Sequence, residues 1–141
     1  MSASAGPYLL DSHVLLWWWF DPDRLFGPVQ ALIVDPVTPV LVSAATLWEL
    51  SLQHHQGKLP ELAQAIGDLP GLLQADGFQL LPIALAHGVR AGAYSQPHRD
   101  PFDRMLAAQA ELERLVLLTE RLNIAAIRFR RQPFQRVPLQ E

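Results

Sequence analysis

Three acidic residues stand where the chain changes character. Asp11 ends the apolar run Tyr8-Leu9-Leu10. Glu49 lies within the apolar stretch from Val40 to Leu50. Asp103 follows Asp100 by three residues, ahead of Met105-Leu106-Ala107-Ala108. Carboxylates brought close together repel one another, so a cluster of them takes up a shared proton or a bound cation. Ligands that are all oxygen suit Mg²⁺ or Mn²⁺, with water and phosphate oxygens completing the shell.

The neighbouring segments must hold these groups in place. Asp100 suits the N-cap of a helix, Pro101 its first position and Asp103 its first turn. Taken alone, that segment also reads as ordinary capping; the two other acids, at matching places, set it apart. Tyr8 to Asp11 reads as a buried strand running into a helix. Val40 to Val42 is strand-like, Ser43 can cap the helix after it, and Glu49 falls in that helix's second turn. Leu115-Val116-Leu117-Leu118 is a further strand, ending at Thr119. Three apolar strands thus end at Asp11, Ser43 and Thr119, each followed by a helical segment. In a parallel α/β sheet such ends lie along the carboxyl edge, where these folds place their sites. Asp11, Glu49 and Asp103 are expected to converge there.

The remaining pattern predicts helices at about 13–20, 24–34, 44–55, 84–93 and 100–113. A strand is expected at 78–81, and one or two short helices at 61–76, interrupted at Gly67 and Pro70-Gly71. A short helix should follow the strand at 115–118.

On these segments the chain resembles the PIN-domain nucleases, specifically VapC-type toxins of toxin–antitoxin modules. The resemblance rests on Tyr8 to Trp18, on Val42 to Leu50 with Gly57-Lys58-Leu59, on His98 to Ala110, and on Leu117-Leu118-Thr119. These four motifs occur in family order, and the resemblance covers roughly residues 7 to 127. The resemblance implies a three-layer α/β/α domain with a mainly parallel sheet over residues 1–127, and a basic tail over 128–141. It makes Asp11, Glu49 and Asp103 the catalytic, metal-holding acids, and places Asp100 beside them. RNA is the substrate it implies, and a homodimer and an antitoxin that inserts near the site are the partners.

One position departs from the family. Where the pattern has Thr-x-Asp, this chain reads Thr119-Glu120-Arg121, so the fourth acid is replaced by Arg121. The expected chemistry is phosphodiester hydrolysis assisted by Mg²⁺, or Mn²⁺, held by Asp11 and Asp103. Glu49 either binds the ion or orients the attacking water. Ser12, Ser43 and Thr119 tune the carboxylates or touch phosphate. Arg121 leaves a second expectation open: a catalytically weak or inactive PIN domain acting by binding RNA or protein, in which Arg121 supplies a phosphate-binding charge. A metal-dependent phosphatase or DNA nuclease on the same scaffold is a third.

The 141 residues amount to one domain, and half of them are apolar, enough for a sheet covered on both faces. There is no cysteine, so neither disulfides nor a thiolate zinc site. No apolar run reaches membrane-spanning length and no signal peptide is evident, so a cytoplasmic protein without membrane contact is expected. Residues 1–127 carry 7 basic and 13 acidic side chains, whereas residues 128–141 carry 4 arginines and 1 glutamate. An acidic body binds nucleic acid poorly on charge alone. Local contacts to phosphate would fall to Arg99, Arg104 and Lys58, which read first as solvated surface charges. The tail is either a loose end or an arm that touches RNA or the antitoxin.

None of the five histidines has the paired spacing of a zinc site. His13 and His98 neighbour the acids, as ligands or as cap and loop residues. His54 and His55 suit a helix C-terminus, and His87 reads as surface or half-buried. Trp17, Trp18 and Trp19 point about 100° apart on a helix. They cannot all face one core, so at least one is expected to be exposed or to sit at an interface.

Overall fold

The computed structural model describes residues 6–25, 27–95 and 100–119, together with the backbone of residues 134–136. Strand β1 (Tyr8–Leu10) leads into α1 (Ser12–Phe20), a 3₁₀ turn (Pro22–Arg24) and α2 (Gly27–Val34). Strand β2 (Val40–Ser43) leads into α3 (Ala44–His55). Two 3₁₀ turns (Pro60–Leu62 and Ile66–Asp68) precede α4 (Leu69–Ala75), β3 (Gln79–Leu81) and α5 (Leu85–Ala93). Then come α6 (Pro101–Glu113), β4 (Val116–Thr119) and β5 (Phe134–Arg136).

Every strand pair is parallel, and the order is β3-β2-β1-β4-β5. The chain steps outward from β1 to β2 to β3, then returns to the other side of β1. The strand order therefore reverses between β1 and β4, which is where open parallel sheets form their crevice. β1 is buried along its whole length, as a central strand covered by helices on both faces must be. β3 is an edge strand, with Gln79 and Leu80 exposed.

Alternation along the strands sorts the core into two layers. Tyr8, Leu10, Val42 and Leu118 pack with Val14 and Leu15 of α1, Val29 and Ile33 of α2, and Leu73 of α4. Leu9 and Leu117 pack on the opposite face with Leu106 and Ala110 of α6. The α/β/α layering expected from the sequence is the observed fold. Among the described residues no helix is long and apolar enough to cross a membrane.

Three local differences have physical reasons. The helix expected from residue 24 starts at Gly27, because Pro28 has no N–H and its ring would clash with the carbonyl of residue 24. β5 was not anticipated: it lies in the stretch read as a tail and extends the sheet beside β4. His87 is buried, not half-exposed. Its Nδ1 accepts from the Ala84 N–H at 2.9 Å, which leaves Nε2–H to donate to Glu113 Oε2 at 2.8 Å. The short helix expected after β4 falls outside the described residues.

A polar clamp fastens α5 to α6. Glu111 accepts from Arg90 Nε at 2.6 Å and Nη2 at 3.2 Å, and from the Tyr94 hydroxyl at 2.9 Å. The pairing raises the Arg90 pKa, chiefly through its hydrogen bond to Glu111. Burial, then the bond to Glu111, pushes the Tyr94 phenol well above its ordinary range. Arg104 reaches back from α6, donating from Nε to the Ala91 carbonyl and from Nη2 to that of Tyr94, each at 2.9 Å.

Candidate active site

Asp11 follows the last residue of β1 and caps α1. Its Oδ1 accepts from the Val14 N–H at 2.8 Å. Its Oδ2 accepts from the Thr119 hydroxyl at the end of β4. The backbone reinforces the pairing, with Asp11 N–H donating to the Leu118 carbonyl at 3.2 Å. Asp11 is thus pinned in the crevice where the strand order reverses, and it is completely buried. Hydroxyl and amide donors aimed at a carboxylate favour its charged form.

Ser43 ends β2 and caps α3 by accepting from the Ala45 N–H at 2.9 Å. That fixes the start of α3, so Glu49 follows in its second turn, only 3 % exposed. Gln53 Nε2 lies 3.4 Å from Glu49 Oε2, one turn further on.

Asp100 caps α6, its Oδ1 accepting from the Phe102 and Asp103 N–H groups at 2.9 and 3.3 Å. Pro101 occupies the first turn and Asp103 is only 2 % exposed. Because α6 leads back into the start of β4, its own start lies toward the carboxyl edge. The Trp48 and Phe102 rings meet edge to face at 4.7 Å, so the early turns of α3 and α6 touch next to Glu49 and Asp103.

Three buried acids therefore come from three elements that begin at one edge of the sheet. They are not drawn into a single cage: among the described residues, no three acidic or histidine side chains form a group that could hold a metal ion. Like charges repel, and such groups close up only around a cation or a shared proton. The donor set suits a hard cation. The acids offer oxygen alone, and the buried polar residues among them are Ser12, Ser43, Thr46 and Thr119.

Thr46 was not singled out by the sequence. It precedes Glu49 by three residues, which puts both on one face of α3. Its hydroxyl is buried with no hydrogen-bond partner among the described residues. A buried hydroxyl left so costs about 1–3 kcal/mol, so one is usually met by water or a ligand. The i,i+3 spacing to an acid was the available signal.

Other candidates have different places. Arg104 is engaged with the end of α5, as described above. Lys58 is exposed in the turn after α3. His13 is exposed, its ring stacked on Trp17 at 6.0 Å. His54 and His55 place Nδ1 at 2.8 Å from the Leu59 and Ser51 carbonyls, as expected at a helix C-terminus. Arg99, Arg121, His98 and Glu120 lie outside the described residues.

Trp17, Trp18 and Trp19 are all half-buried against the same core layer. The expected exposure is avoided because neighbours cover α1 on more than one side. Arg24 lies over Trp17 at 5.3 Å, Phe78 meets Trp18 at 6.3 Å, and Asp76 Oδ2 accepts from the indoles of Trp19 at 2.8 Å and Trp18 at 3.4 Å.

Residues 8–129 match the family described as PIN domain. No match was found among curated protein sequences. Among solved structures, the chain is similar to one from VapBC2 of Rickettsia felis bound to a DNA fragment from their promoter. The TM-score is 0.68 at 16 % identity, covering 92 % of this chain and 98 % of the other. It is also similar to a chain of a toxin–antitoxin complex from Klebsiella pneumoniae. There the TM-score is 0.53 at 18 % identity, covering 84 % of this chain and 90 % of the other.

Proposed function

We propose that this chain, which belongs to the PIN domain family, is a divalent-metal-dependent endoribonuclease acting as the toxin of a toxin–antitoxin module. The observation that carries the reading is the set of three buried carboxylates, Asp11, Glu49 and Asp103, on elements that start at one edge of the sheet. Such acids are costly to bury unless a charge or hydrogen bonds compensate them. The similarity to chains from VapBC2 and from a toxin–antitoxin complex supports the toxin and antitoxin part.

Asp11 and Asp103 would hold Mg²⁺ or Mn²⁺, with Glu49 joining them or orienting the attacking water. The bound ion supplies a water of lowered pKa and offsets charge on the scissile phosphate. Thr119 fixes the rotation of the Asp11 carboxylate by donating its hydroxyl to Oδ2. Ser43 sets the start of α3 and thereby the position of Glu49. Ser12, buried beside Asp11, and Asp100, which caps α6, support the two metal-holding acids.

Metal binding has a thermal signature. Mg²⁺ or Mn²⁺ should raise the melting temperature, and at a hundred times its Kd a ligand adds about 2.7 kcal/mol. The shift should disappear in Asp11→Asn and in Asp103→Asn. A wild-type chain indifferent to tens of millimolar Mg²⁺ would count against a metal site.

The direct test is cleavage of structured and unstructured RNA by the purified chain. Arg121 in place of the family's fourth acid favours a second reading, a PIN domain that binds without efficient cleavage. Arg121→Asp restores a carboxylate there and should raise Mg²⁺-dependent cleavage. If wild type is inert and Arg121→Asp cleaves, the binding reading holds for the natural chain.

A homodimer belongs to the same proposal. On α5, Leu85 and Val89 lie about one turn apart and are 93 % and 76 % exposed, a surface that supports self-association. Light scattering should give twice the chain mass, 31.6 kDa against 15.8 kDa. Val89→Glu should shift it to the monomer, and a wild-type monomer at every concentration would remove this element.

A further inference from the structure

A pocket of about 500 Å³ opens at the far end of α1 from Asp11, against the turns that precede α4. Trp19 follows Asp11 by eight positions, about 12 Å along the helix axis. The pocket is walled by Trp19, Phe20 and Leu72 and rimmed by Glu61, Gln64 and Asp68.

The aromatic wall is held in place before anything binds. The Trp19 indole is tethered to Asp76 Oδ2 at 2.8 Å, and the Phe20 ring meets it edge-on at 6.3 Å. Phe20 is nonetheless 46 % exposed. The charges on the rim are unanswered. Among the described residues no lysine or arginine lines the pocket, and Glu61 and Asp68 have no basic partner. Asp68 accepts from the Gly71 N–H at 3.1 Å, which orients its carboxylate without neutralising it.

Aromatic faces and carboxylates both attract a cation. The same helix already shows this pairing, because the Arg24 guanidinium sits 5.3 Å from the centroid of the Trp17 ring. A planar guanidinium can stack on a ring while its in-plane N–H groups donate to carboxylates; a lysine ammonium has no such flat face. Leu72 offers apolar surface for the side-chain stem.

We propose that this pocket receives an arginine side chain presented by a basic segment of a partner protein. The proposal rests on the partner reading given above and adds the chemistry of the contact. Suppression of toxicity by a small co-encoded protein tests that reading, and the peptide experiment below tests the pocket, so the two can fail separately.

The probe is a short peptide of alternating leucine and arginine, compared with its twin in which citrulline replaces arginine. Binding is followed through the Trp19 indole N–H resonance of the full chain. The arginine peptide should shift that resonance and bind about tenfold more tightly than the citrulline twin. The double variant Glu61→Gln, Asp68→Asn should abolish the preference; asparagine still caps α4, so the fold is kept. Asp23→Asn, an exposed acid that does not line the pocket, should leave it unchanged. Equal binding of the two peptides overturns the proposal, as does a preference that survives the double variant. Arginine amide binding as tightly as the peptide would make this a small-cation site instead. A dimer that dissociates only in the double variant would assign the pocket to an arginine of a second copy, which also overturns it.

Discussion

Asp11→Asn should lower the rate of RNA cleavage by about a thousandfold, equivalent to about 4 kcal/mol of transition-state stabilisation. Asp11 is completely buried, and the groups around it are compatible with an amide. Asparagine is as good a helix cap as aspartate, so the bond from Val14 N–H to the side-chain oxygen can persist. The Thr119 hydroxyl can rotate to accept from the new amide instead of donating to a carboxylate. Shape and capping are therefore kept and the charge is lost, which is the term a metal-holding residue contributes. Asp103→Ala should have a similar effect, because Asp103 is the second metal-holding acid of the proposal. The comparison requires folded protein, checked by circular dichroism and melting temperature without metal. Cleavage at more than a tenth of the wild-type rate in a folded Asp11→Asn protein would remove Asp11 from the catalytic role.

Glu111→Ala should destabilise the domain by about 3 kcal/mol and lower its melting temperature by roughly 10 °C. Glu111 is 8 % exposed and accepts three hydrogen bonds, two from Arg90 and one from Tyr94. Removing it takes away the carboxylate that the Arg90 guanidinium and the Tyr94 phenol share. The lower end of the range for broken ion pairs applies, because Arg90 is 27 % exposed and water recovers part of the loss. The same cluster gives the fold an alkaline limit. The Tyr94 phenol is raised above its ordinary value of 10.0, first by burial and then by its bond to Glu111. The folded chain therefore keeps a proton that the unfolded chain loses. Its contribution is fully present below pH 10 and declines as pH rises beyond it. Tyrosine absorbance and melting temperature followed between pH 8 and 12 should show the decline in wild type and a smaller one in Glu111→Ala. A melting temperature unchanged by the substitution, with tyrosine titrating normally in wild type, would refute the clamp.

The sequence alone determined the local units that carry the site. A run of apolar residues ending in a capping side chain is a short-range instruction, read within a few residues. Hence the first strand, read to Asp11 and found to end one residue before it, the strand ending at Ser43, the cap at Asp100 and the placement of Asp103 in the first turn of α6 were legible. The three-layer class followed as well, because strands without polar faces must be covered on both sides. Motif order added the family, which the match over residues 8–129 supports independently.

Tertiary structure decided what depends on distant neighbours. Nothing within β1 says that β4 lies beside it, yet that adjacency brings Thr119 onto Asp11 across 108 residues of chain. Arg104 reads as a surface charge until α5 supplies the carbonyls it holds. The three tryptophans break the rule of one buried face because Asp76 and Phe78, far along the chain, fold over α1. Thr46 shares a helix face with Glu49 in the sequence, but its buried hydroxyl without a hydrogen-bond partner among the described residues is seen only in the fold, and Glu61 and Asp68 gain meaning only beside Trp19 and Phe20. Caps and strand ends are set by contacts between near neighbours, which any window of sequence displays. Burial and unanswered charge are set by contacts across the sheet and between layers, and these exist only once the chain has closed on itself.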